Sequence, residues 1–333
     1  MKNSILIKAA FAAFIFLYAC GTNQTDYYKI KGQTMGTSYF INYEGKRPQD
    51  VQKQVDSLLI LLNASLSTYD PNSLISQFNQ NNSVEMDAFF ADVYASSQEV
   101  FAETNGYFDP TVGPLIEAYG FGASTFENLD SQAVEKIMAK VDFNQIKNTN
   151  ANTLTKESSE MTINFSAIAK GYGVDQVALL LDQLGMENYL VEIGGEVRVH
   201  GQNEQKRPWT VGIHLPQENT NKLFASASLS NRSIATSGNY RNYHEKDGRK
   251  YVHTINPKTG FPEINTLLSA SVISNSCMRS DGLATAFMAM GKDKTIECSK
   301  SLNDIGIYLI YLNDDNQLAT YKSPGYETTF SIY

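Results

Sequence analysis

The stretch Asn164-Phe-Ser-Ala-Ile-Ala-Lys-Gly-Tyr-Gly-Val-Asp175 carries small residues, a lysine and an aspartate into the start of a helix. Val174, Val177, Leu180, Leu181 and Leu184 recur at helical spacing, which predicts an amphipathic helix over Lys170 to Gly185. About 110 residues later, Ser280-Asp-Gly-Leu-Ala-Thr285 lies in an apolar segment, Asp281 to Met290, that also reads as a helix. Asp281 and Thr285 are four positions apart and so share a helix face, where a carboxylate and a hydroxyl can hold one hard cation. The small residues of the first stretch let backbone approach a ligand closely at a helix start.

Working outward, the first half reads mostly as helices. Asp50 to Leu66 places Val51, Val55, Leu58, Leu59 and Leu62 on one face, Leu74 to Asn79 begins a short helix, and Asp87 to Thr104 stops at Asn105-Gly106. Ser131 to Lys140 is a further helical segment. Strands dominate the second half: Trp209 to His214, Ala225 to Leu229, Ser233 to Thr236, Tyr251 to Ile255 and Ala270 to Ser274. Tyr27 to Tyr43 predicts a strand pair around Met35-Gly-Thr37, Ala151 to Ile163 a hairpin, and Tyr189 to Val199 a strand interrupted at Gly194-Gly195. This distribution predicts an α+β fold with a largely antiparallel sheet flanked by helices. No Pro-, Gly- or Ser-rich linker divides residues 30–333, so they read as one catalytic unit.

The N-terminus reads as an export signal. An apolar run from Ile5 to Ala19, broken only by Lys8, is too short to span a bilayer and ends at Cys20-Gly21. Leu17-Tyr-Ala-Cys20 resembles a bacterial lipobox, which implies a signal peptide over 1–19, lipidation of Cys20 and a tether over 20–29. The expectation is an exported lipoprotein held at the inner membrane, facing the periplasm. A formal net charge of -8 argues against nucleic acid as a partner. The two remaining cysteines, Cys277 and Cys298, make no disulfide scaffold, and a bridge between them is not inferable from sequence.

Eight motifs in order carry a family resemblance. They are Met35-Gly-Thr, Ser67-Thr-Tyr-Asp-Pro-Asn-Ser, Phe108-Asp-Pro-Thr-Val-Gly-Pro, Ser166-Ala-Ile-Ala-Lys-Gly-Tyr, Ile193-Gly-Gly-Glu, Ala235-Thr-Ser-Gly-Asn-Tyr, His253-Thr-Ile-Asn-Pro-Lys-Thr-Gly and Ser280-Asp-Gly-Leu-Ala-Thr. The set resembles the ApbE family of FAD:protein FMN transferases, often exported lipoproteins, with an α+β fold related to the T-fold. The resemblance implies that FAD is split with Mg2+, AMP leaves, and FMN is joined by its phosphate to a Thr or Ser hydroxyl of an exported electron-transfer protein. Hydrolysis of FAD to FMN and AMP, and a non-enzymatic FAD-binding lipoprotein, are the alternatives.

By resemblance, the Asp281 carboxylate, the Thr285 hydroxyl and the Ala167 carbonyl hold the metal, while Ala284 stands where some relatives have a further carboxylate. Met35 and Tyr69 are expected against the flavin ring, Tyr107, Phe108 and Asp109 lining the pocket, Asn164 and Lys170 on the nucleotide, and Ile255 beside it. His253 is the implied base for the incoming hydroxyl or an aid in orienting it, with Asp281 as the alternative base; Asn256 stands where relatives commonly have aspartate. Read from spacing alone, Asp281 equally suits a helix N-cap and Asp109 a turn former. Gly194-Gly195-Glu196 and Ser237-Gly238-Asn239-Tyr240 read either as pocket-shaping loops, with Glu196 near ribose or adenine, or as two tight turns.

Overall fold

An eight-stranded sheet, antiparallel at every pairing, organises the molecule. Its order across the sheet is Tyr27–Thr34, Thr37–Glu44, Tyr189–Ile193, Glu196–His200, Arg232–Gly238, Leu267–Ser274, Gly306–Leu312 and Leu318–Lys322. The computed structural model describes residues 26–45, 47–121, 129–150, 152–217, 220, 222–239, 243–246, 249–252, 254–262 and 265–333, with backbone only at 243–246 and 249–252. The first strand opens at Tyr27, inside the segment read as tether.

Side-chain alternation sends the sheet's apolar residues to two cores. In Gly306–Leu312, Ile307 and Leu309 enter the larger core with the helices, whereas Tyr308 and Ile310 enter a second core. That second core is closed by a three-stranded sheet of Trp209–His214, Leu223–Leu229 and Phe330–Ile332. Each fully buried Ile or Leu contributes about 1.5–3 kcal/mol by leaving water, so a strand apolar on both faces is anchored twice. The helices Pro48–Leu66, Ala88–Glu103, Ala169–Gln183 and Cys277–Met290 pack on the other face, and the last two lie directly against each other.

Two hairpins turn on left-handed residues. Met35 (φ 49°) and Gly36 (φ 72°) join the first pair of strands, and Gly194 (φ 62°) and Gly195 (φ 106°) join the next. What reads in sequence as one interrupted strand is therefore two strands, Tyr189–Ile193 and Glu196–His200, because consecutive positive φ values reverse the chain.

The hairpin expected over Ala151 to Ile163 lies earlier, as Ile146–Asn150 paired with Thr153–Lys156. Its shift has a cause in Lys156, whose buried ammonium donates to the carbonyls of Asn79 (3.0 Å) and Met161 (2.7 Å), folding the following residues back onto it. Cys277 and Cys298 are both free thiols.

Candidate active site

The start of the Ala169–Gln183 helix lacks a side-chain cap of its own, since Ile168 sits at that position. The acceptor comes from the other helix: Gly171 N–H donates to Asp281 Oδ2 at 2.9 Å. Asp175 returns the service at the start of Cys277–Met290, where its carboxylate takes the Cys277 and Met278 N–H groups at 3.0 Å each and the Ser276 hydroxyl at 2.8 Å. Arg198 balances the charge of Asp175 at 2.6 Å. An anion at each helix start satisfies orphan donors and the helix dipole together.

Glycine allows this closeness. A Cβ on Gly171 would lie 2.3 Å from the Cys277 carbonyl oxygen and 2.8 Å from Asp281 Cβ. The helix Cys277–Met290 then turns Asp281, Thr285 and Ala289, four residues apart, onto a cavity of about 460 Å3. That volume suits a small-molecule site, for which about 300–1,000 Å3 is usual. Tyr107, Phe108, Asp109, Ile116 and Ile255 line the cavity as well, as do Asn164, Ala167, Lys170 and Glu196.

Among the described residues, four carboxyl or ammonium side chains line this cavity, Asp109, Lys170, Glu196 and Asp281, and the last three lie together. Lys170 Nζ lies 3.4 Å from Glu196 Oε1 and 3.6 Å from Asp281 Oδ2. Burial pushes both carboxyls up, against the pull of Lys170, with Glu196 reaching about 8. Desolvation acts on the Lys170 ammonium in the opposite sense, yet the two carboxylates outweigh it and hold the lysine above its ordinary value. Glu196 Oε2 is buried with no hydrogen-bond partner among the described residues. The Thr285 hydroxyl is 3.3 Å from Ser237 Oγ, and Asp281 Oδ1 takes no hydrogen bond from a described residue. Among the described residues no three His, Cys, Asp or Glu side chains cluster to bind a metal, so a cation here would have to rely on mixed oxygen donors.

A larger cavity of about 600 Å3 lies at the start of the Cys277–Met290 helix, beside Asn275, Ser276 and Asn303. Its single arginine, Arg279, is already paired with both oxygens of Glu103, at 2.7 and 3.1 Å. The chemistry-bearing groups converge on the smaller cavity.

The ApbE family profile matches residues 35–309. This chain belongs to the ApbE family. It is similar to an FAD:protein FMN transferase of Haemophilus influenzae, 35% identical over 344 residues and covering 98% of both chains. It is also similar to one of Vibrio cholerae, 36% identical with 95% of both chains covered. The solved flavin transferase ApbE from Vibrio cholerae superposes with a TM-score of 0.84 at 33% identity, covering 92% of this chain and 99% of that one. The Pseudomonas stutzeri flavinyl transferase ApbE gives 0.83 at 28% identity, covering 92% and 97%.

Within this ApbE chain most of the residues expected at the site do meet. Tyr107, Phe108, Asp109, Asn164, Ala167, Lys170, Ile255, Asp281 and Thr285 all line the one cavity. Asp281 is not the N-cap of its helix; Ser276 is, accepting from Arg279 N. Asp109 does cap a turn, taking Thr111 N–H at 2.7 Å and its hydroxyl at 2.5 Å, and lines the cavity as well. Burial pushes its carboxyl up despite those bonds.

Met35 and Tyr69 lie outside this lining. The Met35 thioether packs over Gly173, and Tyr69 stands exposed in the turn after the Pro48–Leu66 helix. Ala284 points into the core, away from the cavity. Asn256 holds its turn without a charge, because its Oδ1 accepts Lys258 N–H at 2.9 Å. His253 and Cys20 lie outside the described residues. Thr236, Ser237 and Thr254 also line the site; all three lie within motifs quoted for the family resemblance, and Ser237-Gly238 reads in sequence as a pocket-shaping loop or a tight turn, yet none of their hydroxyls is given a role there.

Proposed function

We propose that this chain is an FAD:protein FMN transferase, which cleaves the FAD pyrophosphate, releases AMP and leaves FMN esterified to a Thr or Ser hydroxyl of a partner protein. One observation carries the reading: Asp281 and Thr285 from one helix face meet Ala167 and Lys170 from the start of another on the wall of a single cavity. The donor set is a carboxylate, a hydroxyl and a carbonyl, hard oxygens of the kind Mg2+ selects, so Asp281, Thr285 and Ala167 would hold that ion. Bound there, Mg2+ would supply charge neutralisation on the pyrophosphate oxygens.

The chain's own residues do the rest. Lys170 presents a cation to the phosphates from the same wall. Tyr107, Phe108, Ile116 and Ile255 offer an apolar lining for the flavin and keep water from the reacting phosphorus. The acceptor oxygen bonds to the FMN phosphorus as the bond to the bridging oxygen breaks, and that oxygen leaves on AMP. We assign the acceptor's proton to His253, whose neighbours Thr254 and Ile255 line the cavity, with Asp281 as the second candidate.

Lipidation at Cys20 would hold this site at the periplasmic face of the inner membrane, within reach of exported electron-transfer subunits. Among the described residues no helix is long and apolar enough to cross a membrane. Incubating the protein with FAD, Mg2+ and an acceptor domain, then weighing the acceptor by mass spectrometry, tests the proposal. An acceptor that gains FMN from the Vibrio cholerae relative but not from this chain would remove it. Release of FMN and AMP without any acceptor would replace transfer with hydrolysis.

A further inference from the structure

Lys170 stands between two carboxylates and is tightly bound to neither. Its Nζ is 3.4 Å from Glu196 Oε1 and 3.6 Å from Asp281 Oδ2, whereas an exposed pair such as Lys140–Glu160 closes to 2.7 Å. The stem passes beside Gly194, where an added Cβ would come within 3.3 Å of Lys170 Cδ, so glycine there leaves it room. Because Nζ is nearly equidistant from the two acids, a small rotation about the last bonds of the side chain moves the ammonium from one to the other.

Those acids are not equivalent. Asp281 Oδ2 already accepts Gly171 N–H at 2.9 Å, so it keeps a partner when the lysine leaves. Glu196 holds Oε2 buried without a hydrogen bond among the described residues, a cost that proteins rarely leave standing. This oxygen is a second seat for a donor already within reach.

We propose that Lys170 is an exchangeable counter-ion, shared with Asp281 in the cation-free protein and transferred wholly to Glu196 when a divalent cation binds Asp281. The inference rests on reading Asp281 as a cation ligand. A cation at about 2.1 Å from an Asp281 oxygen would stand within a few ångströms of the ammonium, and their repulsion drives the transfer. Glu196 is thus a positioning residue: it receives the lysine, aims it across the cavity and clears Asp281. Metal loading becomes a competition between ammonium and cation, which an FAD pyrophosphate would tip by adding negative charge.

The test is Mn2+ binding to the full-length, FAD-free protein, followed by electron paramagnetic resonance and calorimetry. Lys170→Met is expected to tighten Mn2+ binding and Glu196→Gln to weaken it, each by about tenfold, and the weakening should largely vanish in the double variant. Lys170→Gln serves as a second probe, and thermal melts confirm that each variant is folded. If the two effects simply add, Lys170 and Glu196 act only through their separate fields, and the exchange is overturned while the cation site stands. If neither the wild type nor Lys170→Met binds Mn2+, the cation site itself falls and the exchange with it.

Discussion

Asp175 and Asp281 cap each other's helices. Asp175, on Ala169–Gln183, holds the first N–H groups of Cys277–Met290, while Asp281, on Cys277–Met290, holds Gly171 N–H at the start of the other. The crossing fixes the relative position of the two helix starts, and Ala167, Lys170 and Asp281, close to them, all line the cavity. Asp281 is placed by a structural bond on one oxygen, Oδ2, from the helix start that it faces.

Gly171→Ala tests how close that crossing is. The added methyl would meet the Cys277 carbonyl oxygen at 2.3 Å, and backbone cannot move aside as a flexible side chain can. A loss of about 1–3 kcal/mol is expected from overpacking, read as a lower urea midpoint. Activity should fall beyond what unfolding explains, because parting the helices moves Asp281 from Ala167. A variant as stable and active as the wild type would show that the contact is loose.

Asp281→Asn separates the two tasks of the side chain. The carboxamide oxygen can still accept Gly171 N–H, so the fold should survive with a melting temperature near that of the wild type. The anionic ligand is lost, and FAD turnover should drop by about 10²–10³-fold, the scale for removing one group that stabilises transition-state charge. Steady-state release of AMP measures it, and retained turnover would remove Asp281 from the metal.

Thr285 offers a conservative pair. Thr285→Ser keeps the hydroxyl one helical turn from Asp281 and should retain most activity, whereas Thr285→Ala should raise the Mg2+ concentration needed for half-maximal turnover by about 10–100-fold. The Ser237 hydroxyl at 3.3 Å would stay close to either a serine or a threonine. Equal Mg2+ requirements in both variants would leave Thr285 as a packing residue.

The fold class was legible in the sequence: the α+β arrangement with a largely antiparallel sheet is the one observed. Asp281 and Thr285 are legible because helical spacing alone puts them on one face, and the ordered motifs bring Tyr107, Asn164 and Lys170 to the same cavity. Glu196 is legible as part of a pocket-shaping loop near ribose or adenine, and it does line the cavity; its unpartnered oxygen emerges from burial, which no local pattern reports. The strand Gly306–Leu312 escaped for a related reason. Ile307, Tyr308, Leu309 and Ile310 are buried on both faces, so the alternation that signals a half-buried strand is absent. The reciprocal caps were invisible because each aspartate serves a helix that begins some 100 residues away.

Glu196 also makes stability depend on pH in an unusual sense. Burial raises its carboxyl from an ordinary 4.5 to about 8, against the pull of Lys170 and with the help of Asp281, the two charged groups that face it. Between those values the folded, cation-free protein holds a proton that the unfolded chain has released. Folding is then proton-linked with the folded state binding more, so stability falls as pH rises through this window and levels off above about 8. A salt-bridged carboxylate with a lowered value would do the reverse. Urea midpoints from about pH 5 to about pH 9 should therefore decline for the wild type, and Glu196→Gln, which cannot titrate, should show a flatter curve. Parallel curves for the two proteins would mean that the carboxyl is ionised in the cavity throughout, with Lys170 already seated on it.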